Sequence, residues 1–145
     1  MSMYGVGKIL GAQLIAEIGD VTRFHSKRAL TAFAGLDSPP YQSGQFESKE
    51  RKISKRGTPH LRHTLFNIVT VIVQRQPVDD EVYIFLDRKR AEGKHYYVYM
   101  TAASNKFLRL YYGKVKACLR EFEATFDHQA IPRELPLSTD PQPAA

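Results

Sequence analysis

Apolar residues recur at intervals of three and four along most of this chain, and residues that start or stop helices bound each run. Ile9, Leu10, Gln13, Leu14 and Glu17 mark a helix from about Lys8 to Ile18, with Gly19 as its stop. Ser26 is a good N-cap for a second helix, Lys27 to Ala34, whose apolar stripe is Ala29, Leu30, Phe33 and Ala34, closed by Gly35. Pro39-Pro40 forces an extended backbone into Tyr41. Thr58 as cap and Pro59 at the first helical position then open a helix that continues to about Gln76. Leu61, Leu65, Ile68, Val69, Ile72 and Val73 mark it as the core element. After Pro77, Asp79 is placed to cap a helix of Asp80 to Glu92, with Val82, Phe85 and Leu86 inward and Gly93 as its end. Lys94 to about Phe126 is a long helical stretch, with Tyr97, Met100, Thr101, Ser104, Phe107, Leu108, Tyr111, Val115 and Leu119 on one stripe.

The fold expected is mainly α: an N-terminal part with the look of a helix-hairpin-helix, a basic loop or short hairpin, then a bundle of three longer helices. The hairpin would pair Tyr41–Phe46 with Lys52–Ser54 around a charged tip, Glu47 to Arg51. Residues 1–131 form one domain, and the Pro-rich stretch 132–145 reads as a loose tail. A length of 145 residues suits one domain with its own core. At 43% hydrophobic and 25% charged the chain reads as globular and soluble, and no apolar run approaches the roughly 18 residues that span a membrane. The single cysteine, Cys118, fits a reducing cytoplasm and reads as a small core residue. A formal charge of +6 and a pI near 9.5 make a polyanion, most commonly nucleic acid, a plausible partner.

Charge is concentrated around one serine. Lys49, Arg51, Lys52, Lys55, Arg56 and Arg62 give six positive charges against Glu47 and Glu50, a local excess of four, around Gln42-Ser43-Gly44. Cations so placed can neutralise a transferring phosphoryl group, and a solvated basic loop is the alternative. His60, Arg62 and His63 occupy the first turns of the following helix, where cations oppose the helix dipole and an anion would remove the conflict. Gly5-Val6-Gly7 precedes the first helix; its bare amides with Lys8 suit an anion, resembling the hairpin of a helix-hairpin-helix DNA-backbone binder, or they form a plain glycine turn. His25 reads as a surface residue, since no metal-like spacing surrounds it. The tyrosines Tyr96, Tyr97, Tyr99, Tyr111 and Tyr112 read as core and rim residues in preference to a base-stacking platform.

An ordered series then carries a resemblance. Gly5-Val6-Gly7, Leu14 to Asp20, Arg23-Phe24, Ala32 to Asp37, Tyr41 to Gly44, Ile53 to Gly57 and His60-Leu61-Arg62 resemble the C-terminal domain of insertion-sequence transposases of the "one-ten" class. These are also called one-sixteen or nine-oh-two transposases, and they include the bridge-RNA-guided recombinases. The likeness covers about Met3 to Thr70. It implies a DNA strand-transfer enzyme whose serine, here Ser43, attacks a backbone phosphate, with Lys55 and Arg56 holding that phosphate. It implies DNA contacts from Gly5, Gly7, Lys8, Gln42, Gly44, Lys49, Arg51, Lys52, Ser54, His60, Arg62 and His63. No metal site or cofactor is expected in this chain. The resemblance implies Mg2+ on a separate acidic, resolvase-like domain, a guide RNA, a homo-oligomer and a nucleoid-associated place in the cytoplasm. The chain accordingly reads as a C-terminal fragment without that acidic domain. Two other functions compete: a non-catalytic basic module gripping nucleic-acid backbone, and a small RNA-associated protein.

Overall fold

The computed structural model describes residues 3–38, 42–43, 46–47 and 53–127. Five α-helices dominate these residues: α1 (Lys8–Ile18), α2 (Lys27–Phe33), α3 (Pro59–Arg75), α4 (Glu81–Ala91) and α5 (Tyr96–Asp127). A 3-10 turn, Val21–Arg23, links α1 to α2. Two short antiparallel strands, β1 (Gln42–Ser43) and β2 (Phe46–Glu47), lie between α2 and α3. The fold is mainly helical, as the apolar periodicity implies.

The core forms where stripes from all five helices converge. Leu61, Leu65, Ile68, Val69 and Ile72 of α3 are buried, together with Leu14 and Ile18 of α1, Leu30 of α2 and Val82 and Leu86 of α4. From α5 come Met100, Ala103, Phe107 and Leu108. Helix α5 packs on α2, α3 and α4, and α1 packs on α3. Fully burying each large apolar side chain contributes roughly 1.5–3 kcal/mol, so this convergence outweighs any single capping bond in holding the helices together. Cross-ties fix the angles. The Tyr112 hydroxyl donates to the Phe24 carbonyl (2.9 Å), and Asn105 Nδ2 donates to the Leu36 carbonyl (3.1 Å). The Arg23 guanidinium lies over the Phe24 and Phe33 rings, at 4.7 and 4.8 Å, which gives the Arg-Phe pair a packing role.

Several local expectations are corrected. Ile9 is 75% exposed, because α1 packs chiefly on α3 and the side carrying Leu10, Leu14 and Ile18 turns to the core. Asp80, not Asp79, caps α4, its carboxylate accepting from the amides of Val82 and Tyr83. Thr58 precedes α3 but makes no side-chain cap; its hydroxyl donates to Glu17 of α1 at 3.0 Å and ties the two helices. Cys118 is exposed, not a core residue. The hairpin is tighter than expected, with Gln42 opposite Glu47 and Ser43 opposite Phe46, while Ser54 pairs with Asp37 instead. Tyr97 is 65% exposed, since residues 91–98 all lie outside the packed body and burial on α5 begins at Met100. The stretch 132–145 lies outside the described residues.

Candidate functional site

The sequence Ile53-Ser-Lys-Arg-Gly57 is laid along the end of α2 and locked there by backbone. Ser54 donates its amide to the Asp37 carbonyl (2.8 Å), Lys55 to Gly35 (3.1 Å) and Thr58 to Phe33 (2.9 Å). The Ser54 hydroxyl donates to the Asp37 carboxylate and accepts from the Arg56 amide at 3.4 Å. Two glycines make the approach possible. A Cβ on Gly57 would overlap the Phe33 carbonyl oxygen, and Gly35 adopts φ 67°, where a Cβ would meet Gly57 N at 2.7 Å. The Gly35 and Gly57 of the two sequence motifs are therefore one interlocked joint.

Arg62 closes the joint. Its Nη1 donates to the carbonyls of Ala34 (3.1 Å) and Gly57 (3.2 Å), so the guanidinium sits at the C-terminal end of α2, where a cation is favoured. The cation conflict expected at the start of α3 is thus relieved, for Arg62, by carbonyl oxygens and needs no anion. Ser54 and Arg62 both have polar atoms engaged in holding the joint.

What the joint presents outward is different. Lys55 has φ 53°, a left-handed conformation that costs a non-glycine residue on the order of 1–3 kcal/mol and persists only when surroundings fix it. Lys55 and Arg56 are exposed, as are His60 and His63 on the first two turns of α3. Among the described residues none of these four makes an ion pair. The chain stretch that leaves at Ser38 and returns at Ile53 contains β1, and so the backbone of Gln42 and Ser43. Gly44, Lys49, Arg51 and Lys52 lie outside the described residues, and Ser43 is placed through its strand alone.

Beside the joint, α3 and the start of α5 flank a cleft of about 870 Å³. Lys55, Arg62 and His63 supply its polar wall, and Phe66, Tyr97 and Val98 its apolar one. Asn105 also lines it, and its Oδ1 is buried without a hydrogen-bond partner among the described residues. The sequence analysis placed Tyr97 on the apolar stripe and did not single out Asn105. A usable signal was the polar run Glu92 to His95, which leaves the first turn of α5 without a partner.

The N-terminal turn is built otherwise. Gly5, at φ 78°, presses against α3, where a Cβ would stand 2.8 Å from the Ile68 carbonyl oxygen. Gly7 is the N-cap of α1 with open space around it, and no side chain caps the helix. Lys8 is exposed at that end. Among the described residues, no helix is long and apolar enough to cross a membrane, and no three His, Cys, Asp or Glu side chains group to hold a metal ion.

The chain is similar to known proteins over these elements. Residues 1–84 match the family described as "Transposase IS116/IS110/IS902 family". The chain is 31% identical over 113 residues to a pilin gene-inverting protein of Moraxella bovis, covering 77% of this chain and 34% of that one. It is 31% identical over 117 residues to an uncharacterized 42 kDa protein of insertion element IS900 from Mycobacterium paratuberculosis, covering 80% and 28%. It is 39% identical over 66 residues to the transposase of insertion sequence element IS1111A from Coxiella burnetii, covering 46% and 18%. The chain thus spans from under a fifth to about a third of the length of these relatives. Joint, strand and N-terminal turn all fall within the matched residues, and the chain belongs to the IS116/IS110/IS902 family of transposases.

Proposed function

We propose that this chain is the part of a DNA transposase that carries a serine nucleophile, with Ser43 as the attacking group and Lys55 and Arg56 as its phosphate clamp. The Ser43 Oγ attacks a backbone phosphorus, the bond from phosphorus to a deoxyribose oxygen breaks, and the leaving hydroxyl ends with the proton the serine gave up. A phosphodiester to serine replaces a phosphodiester to sugar, so reversal by another strand's hydroxyl reseals DNA without an external energy source. The two cations offset the charge that builds on the phosphoryl oxygens. The observation that carries this reading is the display of exposed Lys55 and Arg56 from a backbone-locked segment, at the foot of the excursion that contains Ser43. Lys8 with the open amides near Gly7 adds a helix-hairpin-helix style of backbone contact. His60 and His63 extend the same surface, and Gln42, Gly44, Lys49, Arg51 and Lys52 complete it by sequence position. The family resemblance adds an acidic Mg2+-bearing domain, a guide RNA and a second protomer as partners. Among the described residues no three His, Cys, Asp or Glu side chains group to hold that ion.

The test is a nicked suicide DNA incubated with the chain, alone and fused to an acidic domain of a relative. A denaturant-resistant protein–DNA adduct is expected, and Ser43→Ala should abolish it. An adduct that survives Ser43→Ala, or no adduct from either form, overturns the serine assignment. The same exposed cations also favour a plain backbone-binding module. In that case binding without any adduct would fall steeply with salt, in proportion to the phosphates neutralised.

A further inference from the structure

The cavities among the described residues have linings that differ in kind. One beside α4 is lined by Asp79, Asp80 and Glu81 with Lys114, a poor setting for a polyanion. A second, of about 420 Å³, sets Arg28 and Arg109 around Asp37, whose carboxylate is already bonded by Ser54. The cleft between α3 and α5 is larger than either, has no carboxylate among its described lining residues, and joins Lys55, Arg62 and His63 to an apolar wall. Its volume of about 870 Å³ lies in the upper range of ordinary ligand pockets.

That apolar wall ends in an exposed aromatic group. Tyr97 stacks on His95 with ring centroids 5.8 Å apart, and Tyr96 meets Tyr97 edge-on at 5.3 Å. Tyr96 is 45% exposed and Val98 53%, so water meets a surface that would ordinarily be covered. An aromatic ring and cations lining one cleft, with no carboxylate among its described lining, suit one chemistry above others: a flat, uncharged ring attached to a phosphate chain.

We propose that the α3–α5 cleft receives an unpaired nucleobase of the DNA strand, with the Tyr97 ring as its stacking platform and Lys55 and His63 beside the adjoining phosphate. This deepens the DNA-transposase reading and rests on it. Ser38 and Ile53, the two ends of the excursion that contains Ser43, both line the same cleft. A base seated there would fix the position of its strand relative to Lys55, which gives the cleft a positioning role. A duplex cannot present such a base without unstacking it, which is easiest at a bulge, mismatch or strand end.

Fluorescence anisotropy with three labelled DNA duplexes tests the idea: one fully paired, one with a single bulged adenine, and one with an abasic residue at the bulge. Wild type should bind the bulged adenine about tenfold more tightly than the abasic bulge, in line with stacking of one base. Tyr97→Ala should erase that ratio while affinity for the paired duplex stays within about twofold, and Tyr97→Phe should restore it. Equal binding of bulge and abasic duplexes by wild type, or equal weakening of all three by Tyr97→Ala, overturns the proposal and leaves the transposase reading standing. Failure to bind any duplex overturns both. A preference seen only with RNA bulges overturns the choice of DNA. Sedimentation on the same samples supplies the last check: self-association of wild type that Tyr97→Ala abolishes would assign the aromatic face to a second copy of the chain.

Discussion

Two regions of this molecule carry the same kind of sequence, glycines set close to lysine or arginine, and the structure uses them in opposite ways. At the joint between α2 and the segment 53–58, Gly35 and Gly57 let two backbones nearly touch, and the contact turns Lys55 and Arg56 outward. At the N-terminal turn, Gly5 faces inward against α3, while Gly7 and Lys8 look to solvent. A glycine beside a cation therefore says that the backbone comes close to something. Whether that something is a phosphate or another helix is decided by what stands opposite.

The largest expected effect lies in the joint. Gly57→Ala must drive the Phe33 carbonyl away and should destabilise the chain by about 3 kcal/mol or more, read as a lowered midpoint in urea. Gly5→Ala combines a positive φ with a close carbonyl and should lose about 1–3 kcal/mol. Gly7→Ala, in open space at φ −81°, has no clash to relieve and should lose only about 0.5–1 kcal/mol, because alanine is the poorer N-cap. If Gly5→Ala proved as mild as Gly7→Ala, the contrast between the two glycines of the turn would fail.

Cations sharpen the comparison on the binding side. Arg56→Ala should leave thermal stability within about 0.5 kcal/mol and lower the slope of log affinity for DNA against log salt by about one. Arg62→Ala should lose about 1–3 kcal/mol of stability, because two carbonyls lose their donor. Equal stability losses in the two variants would mean that Arg56 also belongs to the joint.

The smallest effect is a pH dependence that belongs to neither region. Burial pushes the Tyr111 phenol above its ordinary value. The folded state therefore favours the neutral phenol. This contribution is fully present below the unfolded value near pH 10 and is lost as pH rises through the raised folded value. Tyr111→Phe should narrow the drop in melting temperature between pH 8 and pH 11 relative to wild type. A drop of unchanged size would show that the Tyr111 phenol does not contribute to it.

Helix existence and most helix ends were legible in the chain, because caps, proline and the apolar period act over four residues or fewer. Ser26 at the start of α2, Pro59 at the start of α3 and Gly19 at the end of α1 needed no tertiary information. Threonine and aspartate side chains near the other starts had long-range or adjacent competitors. Thr58 was therefore drawn to Glu17, and Asp80 displaced Asp79. The order of motifs was enough to indicate the family.

The sequence by itself thus determined a mainly helical chain, its buried stripes and the concentration of positive charge around Ser43. Tertiary structure alone decided that Arg62 serves carbonyl oxygens, that Lys55 is held left-handed at the surface, and that Tyr97 borders a cleft. The reason is physical: periodicity reports on neighbours along one helix. Partners of Arg62 at residues 34 and 57, and the gap between α3 and α5, exist only once distant backbones have been brought together.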